Sequence, residues 1–246
     1  MHPEGLSGSR PNPKVSLVIP CFNEEGNLKT LYERAKSLVQ ADPSVEVIFV
    51  NNGSVDGSEA ILRGLSEDTQ GIELVTVNVN QGYGFGIKAG LKHASGDLVG
   101  WTHADLQTDP LDVLLGLEAS KKQSKPLIIK GKRVGRPFSD MFFTLGMSAF
   151  ETLLFRARLT DINAQPTLFS RSLLPEVLMG PDDFSLDLYT LVIAKKNGFS
   201  QVRFPVRFGP RFSGSSKWNT SMDARMKFIA RTLSFSFALS KKIRPK

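Results

Sequence analysis

The sequence predicts an α/β fold built on a mainly parallel sheet. Three observations lead there. Short apolar runs recur along the first half of the chain, most of them separated by segments with helical spacing of apolar residues. Polar or glycine-containing turns follow the first four of these runs. The chain has 246 residues, 41% of them hydrophobic and 22% charged, as in an ordinary globular domain with a full core.

The elements follow in order. Val15 to Pro20 reads as a first strand, then Asn23-Glu24-Glu25 and a helix whose apolar positions are Leu28, Leu31, Ala35 and Leu38. Val45 to Val50 is a second strand, closed by Asn51-Asn52-Gly53-Ser54, with a helix from about Asp56 to Ser66. Ile72 to Val77 is the third strand; a glycine-rich turn then opens a helix over Gly84 to Ala94. Asp97 to Trp101 is the fourth strand and Pro126 to Lys130 the fifth. Beyond it come a helix near Met141 to Arg158, mixed short elements from Asp161 to Phe169, a helix over Asp187 to Lys196, a late strand at Gln201 to Arg207 and a last helix over Met222 to Ser240. Strands alternating with helices argue for a parallel sheet covered on both faces. The expected organisation is a flexible leader (1–14), one domain (15–220), and a basic amphipathic helix with its tail (221–246).

Composition narrows the function. No apolar run approaches the roughly 20 residues of a membrane span, and the leader lacks the apolar core of a signal peptide. A single cysteine, Cys21, excludes an intrachain disulfide and fits a reducing, cytoplasmic compartment. The net charge of +7 implies an anionic partner. No nucleic-acid module signature accompanies it, so the expected partners are phosphorylated substrates or an anionic membrane.

The most informative stretch is Gly100 to Pro110. Asp105 and Gln107 lie just past the carboxyl end of the fourth strand, where open α/β sheets bind ligands. A carboxylate and a carboxamide there suit Mg²⁺ or Mn²⁺ held together with substrate phosphates. By itself the stretch also reads as a polar loop in which Asp109 caps a helix opened by Pro110.

Five segments in order resemble family 2 glycosyltransferases of the GT-A fold, in the branch that includes dolichol-phosphate mannose synthase and bacterial envelope enzymes. They are Val15-Ser16-Leu17-Val18-Ile19-Pro20-Cys21-Phe22-Asn23-Glu24-Glu25, Val50-Asn51-Asn52-Gly53-Ser54-Val55-Asp56-Gly57-Ser58, Asn80-Gln81-Gly82-Tyr83-Gly84 with Gly90 and Gly96-Asp97, His103-Ala104-Asp105-Leu106-Gln107, and Arg211-Phe212-Ser213-Gly214-Ser215-Ser216-Lys217. The resemblance implies a nucleotide-sugar donor, an inverting transfer and a lipid-linked or polyprenyl-phosphate acceptor used in envelope glycan synthesis. It implies nucleotide contacts from Pro20, Phe22, Glu24, Asn51, Asn52, Lys88 and Ala104, metal ligation by Asp105 and Gln107, and phosphate-binding cations at Arg211 and Lys217. Lys132 and Arg133 are further candidates for the phosphates.

Two departures bear on specificity. Asn51 and Asn52 stand where the family carries carboxylates, and a carboxamide, with one acceptor and one donor group, suits uracil or cytosine better than guanine. His103 replaces the first aspartate of the metal motif and reads as a borderline ligand, a ribose contact or a polar loop residue. For the acceptor, Asp187 or Asp183 is the candidate base if a hydroxyl must lose its proton, and a lipid phosphate needs none. Asp187 equally reads as a helix-start carboxylate. The last helix, with Phe228, Ile229, Leu233, Phe235, Phe237 and Leu239 beside Arg225, Lys227 and Arg231, suits the inner face of an anionic membrane.

Two other classes stay open at this point. Gly84-x-Gly86-x-x-Ala89 matches a relaxed dinucleotide-binding fingerprint and admits an NAD-dependent oxidoreductase. Asn51, Asn52 and His103 admit a non-catalytic binding protein on the same scaffold.

Overall fold

The computed structural model describes residues 13–66, 69–123, 126–135, 138–210, 212 and 222–243. Seven strands form one sheet: β1 (Val15–Cys21), β2 (Val45–Asn52), β3 (Ile72–Val77), β4 (Leu98–Trp101), β5 (Leu127–Val134), β6 (Thr167–Ser170) and β7 (Ser200–Arg207), in the order β3-β2-β1-β4-β6-β5-β7. β1 pairs in parallel with both β2 and β4, β2 with β3, and β5 with β7. β6 runs against both its neighbours, β4 and β5. The sheet is therefore mainly parallel and mixed.

The helices are α1 (Glu25–Ala41), α2 (Ser58–Ser66), α3 (Tyr83–Leu91), α4 (Asp112–Ser120), α5 (Phe138–Phe155), α6 (Leu174–Leu178), α7 (Leu186–Lys196) and α8 (Met222–Ile243). Strands buried on both faces read as apolar runs, and Leu17 to Ile19 of β1 and Val47 to Val50 of β2 do so because side chains alternate between two cores. Leu17, Ile19, Val47 and Phe49 join the core under α1 and α2, while Val18, Ile48 and Val50 join the core under α3 and α7. Trp101, wholly buried, packs its ring edge-on against Phe169 at 6.0 Å in the second core.

Most expected elements stand within a few residues of their bounds. β5 extends past Lys130 to Val134, α2 starts at Ser58, α3 ends at Leu91, and α5 ends at Phe155. The segment read as mixed short elements holds β6, an antiparallel strand of four residues. Pairing on both sides, and not length, makes it a strand. Gly100 permits its approach: a Cβ there would stand 1.9 Å from the Thr167 carbonyl oxygen. Asp109 does not cap a helix opened by Pro110, since the helix begins at Asp112 with Leu111 before it. Its carboxylate accepts the Leu111 N–H at 3.0 Å and forms the turn that precedes the helix.

Candidate active site

The carboxyl ends of β1, β2 and β4 open on one edge of the sheet, and the loops leaving them are laced together. Asn23, in the left-handed region at φ 56°, donates its N–H to Ser54 Oγ at 3.1 Å and accepts the Val55 N–H at 2.9 Å. The Glu24 N–H reaches Ser58 Oγ at 2.9 Å, and the Gly57 N–H reaches Glu25 Oε2 at 2.8 Å. This lacing fixes the segment holding half-buried Pro20, Phe22 and Glu24 against the turn after β2.

Asn51 and Asn52 are 1% and 2% exposed. Asn51 Oδ1 accepts the Ser54 N–H at 3.2 Å, and its Nδ2 donates to Glu59 Oε2 at 3.2 Å, which orients the amide from both ends. Asn52 Nδ2 donates to the Gly82 carbonyl at 3.0 Å; among the described residues its buried Oδ1 has no hydrogen-bond partner. Gly86 makes room for that amide, because a Cβ there would lie 2.6 Å from Asn52 Nδ2. Gly90 likewise seats α3 on Val18 and Val50. Of the two glycines that suggested a dinucleotide fingerprint, Gly86 thus seats α3 against Asn52 of β2, and Gly84 lies against the backbone of residues 181–183.

The Lys88 ammonium, 12% exposed, donates to the Gly180 carbonyl at 2.6 Å and pairs with Asp182 at 2.7 Å. Lys88 lies two residues from Gly90, about 200° round the helix from the face seated on the sheet, and so faces the 180–182 segment.

The loop after β4 is held in a strained form. Leu106 has φ 57°, a rare conformation for a residue of its size. Its side chain packs against the first core, so burial holds the backbone there. The turn sets buried Asp105 beside half-buried Gln107, whose N–H donates to Asp105 Oδ1 at 3.2 Å. Gln107 Nε2 donates to the Gly209 carbonyl at 3.1 Å, the Gly209 N–H returns to the Gln107 carbonyl at 2.9 Å, and the Phe212 N–H reaches the Asp105 carbonyl at 3.5 Å. The segment after β7 therefore lies on this loop. Arg211 and Lys217 themselves lie outside the described residues. Ala104 is buried at 4% exposure.

Among the described residues no three or more His, Cys, Asp or Glu groups gather to hold a metal. The donor set still fits Mg²⁺ or Mn²⁺. These ions accept one or two protein oxygens when phosphates and waters fill the rest of an octahedron. With its amide nitrogen engaged by Gly209, Gln107 would have its oxygen left to offer a cation held with the Asp105 carboxylate.

The acceptor-side candidates separate. Half-buried Asp183 accepts the Ser185 N–H at 2.9 Å and pairs with Arg231 of α8 at 3.4 Å. Asp187 is 2% exposed, at the start of α7. Its Oδ1 receives Gln165 Nε2 at 2.9 Å and Lys130 Nζ at 3.4 Å. Arg133 is bound to Asp161 through its backbone N–H at 2.7 Å and its Nε at 2.6 Å, while Lys132 is exposed.

Three site-side residues escaped the sequence reading: Lys130, Tyr83 and Gln165. Lys130 is wholly buried, and burial pulls its ammonium down to about 8 against the opposing charge of Asp187. Tyr83 stacks on Phe184 at 4.5 Å and places its hydroxyl 2.8 Å from His103 Nε2. Burial, followed by the charges of Asp187 and Asp105, holds the phenol well above its usual pKa and so neutral. His103 is therefore more than a polar loop residue: it is tied to α3 from below. A lysine in an apolar strand, Leu127-Ile128-Ile129-Lys130, was the one available signal.

Comparison with known proteins agrees with this architecture. The family model for glycosyl transferase family 2 matches residues 16–168. Bactoprenol glucosyl transferase of Shigella phage SfV is 26% identical over 226 residues, spanning 87% of this chain and 72% of that protein. Undecaprenyl-phosphate 4-deoxy-4-formamido-L-arabinose transferase of Sodalis glossinidius is 40% identical over 103 residues, 41% of this chain and 31% of that protein. Glucosyl-3-phosphoglycerate synthase from Mycobacterium tuberculosis, solved with Mn²⁺, uridine diphosphate and glucosyl-3-phosphoglycerate, superposes with a TM-score of 0.69 at 18% identity, covering 95% of this chain and 82% of that one. A mannosyltransferase from Pyrobaculum calidifontis, solved with GDP-Man and Mn²⁺, gives 0.64 at 19%, covering 96% and 66%. At these identities the structural likeness establishes the fold. With the family model covering most of the sheet and the strained loop after β4 in its expected place, the chain belongs to glycosyl transferase family 2 and is a glycosyltransferase of the GT-A fold.

Proposed function

We propose that this enzyme moves a sugar, with inversion, from a uridine diphosphate donor to a polyprenyl phosphate at a membrane surface, with Mg²⁺ or Mn²⁺ as cofactor. The observation that carries the reading is the placement of Asp105 and Gln107 on a strained turn at the sheet's carboxyl edge, with the chain after β7 bonded onto it. The names of the relatives, bactoprenol and undecaprenyl-phosphate sugar transferases, support the acceptor class.

In this reading an ionised phosphate oxygen of the acceptor attacks the anomeric carbon. The bond from that carbon to the diphosphate breaks, and its electron pair leaves with uridine diphosphate. An ionised phosphate needs no general base, which frees Asp187 and Asp183 from that role. Asp105 and Gln107 would hold the cation, which would supply Lewis-acid stabilisation to the departing diphosphate. Arg211 and Lys217, outside the described residues, would add positive charge for the phosphates. Pro20, Phe22 and Glu24 line the nucleoside side, and Ala104 closes against it. Asn51, with one acceptor and one donor group, favours a pyrimidine.

Membrane association is part of the proposal. No helix among the described residues is long and apolar enough to cross a bilayer. Met226 and Phe237 on α8 are 58% and 49% exposed, beside the basic residues Lys227, Arg231 and Lys241, and suit a reversible contact with an anionic cytoplasmic surface. Phe235 and Leu239 of the same helix are spent on the second core.

The test is transfer of labelled sugar from UDP-glucose to undecaprenyl phosphate in detergent, with Mn²⁺ or with a chelator, read against GDP-mannose as donor. Metal-dependent formation of a lipid-linked sugar supports the reading. Transfer only to water, or none with any nucleotide sugar, sinks it.

A further inference from the structure

Two large aromatic side chains stand out in water beside the loop that carries Asp105. Phe184 is 55% exposed and Phe212 is 64% exposed. Both are joined to that loop. Phe184 stacks on Tyr83, with ring centroids 4.5 Å apart and 11° between the planes, and Tyr83 in turn meets His103 edge-on at 5.4 Å. Phe212 is joined through its backbone, whose N–H reaches the Asp105 carbonyl at 3.5 Å.

Phe184 is exposed without being loose. Its segment is fastened to α3 at several points: the Lys88 ammonium binds the Gly180 carbonyl and the Asp182 carboxylate, and the Phe85 N–H donates to the Asp182 carbonyl at 3.0 Å. Gly82 and Gly84 admit this backbone, since a Cβ would stand 2.3 Å from the Asp182 carbonyl oxygen at the first and 2.5 Å from that of Pro181 at the second. Asp183, next to Phe184 in the chain, pairs with Arg231 of α8 at 3.4 Å. Single exposed apolar side chains are ordinary on a protein surface. Two aromatic ones joined to the loop proposed to bind a diphosphate have the composition of a ligand site, apolar surface around a few polar groups.

We propose that Phe184 and Phe212 form the subsite for the isoprenoid chain of the acceptor, covering the units next to its phosphate while the phosphate meets the donor at the Asp105 loop. The inference rests on the acceptor class proposed above and names the residues that select it. Charge favours this occupant. Arg231, 68% exposed, is tied to the Phe184 segment through Asp183, and exposed Lys227 lies one turn before it on α8. Cations thus accompany the aromatic surface, as an apolar chain with an anionic head requires. A soluble phosphate gains nothing from either ring, whereas an isoprenoid gains the burial of apolar surface on both partners.

The experiment measures binding to the full chain, apart from turnover. Calorimetry in the presence of UDP and Mn²⁺ compares farnesyl phosphate, an isoprenoid short enough to dissolve, with inorganic phosphate. The native protein should bind farnesyl phosphate the more tightly, by about 10-fold or more. Phe184→Ala and Phe212→Ala should each weaken farnesyl phosphate several-fold, and the double variant should remove most of its advantage over inorganic phosphate. Affinity for UDP with Mn²⁺ should hold in all three, whereas a merely structural stack would loosen the loop and lower it. Phe184→Leu, which keeps an apolar side chain, should recover most of the loss. Absent binding of farnesyl phosphate, unchanged affinity in the double variant, equal losses for the two phosphates, or a matching loss of UDP affinity overturns the subsite. If Phe184→Ala does not fold, Phe212→Ala decides the matter. Transfer of sugar separates this inference from the reading beneath it. A double variant that uses undecaprenyl phosphate with the native KM overturns the subsite and leaves the reading standing. A native protein that binds farnesyl phosphate through these rings but glycosylates no lipid phosphate supports the subsite and ends the reading.

Discussion

The Ser236 hydroxyl donates to Glu151 Oε1 across 2.6 Å, joining α8 to α5 through a carboxyl group with no solvent exposure. Among the described residues the second oxygen of Glu151 has no hydrogen-bond partner. Burial pushes this carboxyl up to about 7, against the single favourable hydrogen bond from Ser236.

That shift sets a pH dependence. Folded Glu151 keeps its proton to about pH 7, whereas an unfolded glutamate releases it near 4.5. Between those values the folded state binds more protons, so this group's contribution to stability falls as pH rises. Melting temperature measured across the window should decline in the native protein, and Glu151→Gln should flatten that decline. An identical slope in the variant would remove Glu151 as its source.

For the cation, Asp105→Asn keeps the side chain's shape and removes its charge. Metal-dependent turnover should fall by 10²-fold or more, while circular dichroism stays unchanged. Gln107→Ala should cost less, because a neutral carbonyl holds a dication less strongly than a carboxylate. Activity that persists in chelator would refute the site.

Nucleotide choice follows from the oriented amide of Asn51, held by Ser54 on one side and Glu59 on the other. Calorimetry with Mn²⁺ should rank UDP above GDP. Asn51→Asp should narrow the gap, since a carboxylate matches the paired N–H donors of guanine. A native preference for GDP would overturn the assignment.

Packing of α3 is testable apart from activity. Gly86→Ala would drive a methyl group to 2.6 Å from the Asn52 amide. Overpacking of this kind costs about 1–3 kcal/mol, so chemical denaturation should show a lower midpoint with unchanged slope. A variant as stable as the native chain would mean the amide moves freely.

Membrane contact should appear as sedimentation with anionic vesicles, weakening as salt screens the basic residues. Met226→Glu with Phe237→Glu should reduce it several-fold. Equal binding by that variant would place the contact elsewhere.

Much of this fold was legible in the sequence because double-sided burial leaves unbroken apolar runs, as in Val47 to Val50, and because polar turns follow the early strands. β6 was not, since four residues carry too little pattern and its identity comes from partners on both sides. The turn that brings Asp105 beside Gln107 was legible because its residues are local in sequence. The buried cluster of Lys130, Thr167 and Asp187 was not: Lys130 meets partners that stand 37 and 57 positions away, and a lysine near a strand's end looks like ordinary surface charge. The contact of His103 was not legible either, because its partner, Tyr83, stands 20 positions earlier.

The reversal of β6 has a consequence for how the site can vary. In a parallel strand the residues at the carboxyl edge are those that follow it; in β6 they are those that precede it, as Thr167 beside Trp101 shows. Gln165 thus reaches Asp187 from a segment upstream of its strand. Insertions between α5 and β6 would enlarge the rim of the active site without shifting the register that β6 keeps with β4 and β5. Insertions after β6, between it and α6, would fall on the opposite edge and leave the rim untouched. Among the described strands β6 alone breaks the sheet's polarity, and the segment before it could lengthen the rim independently of the loops that follow the parallel strands.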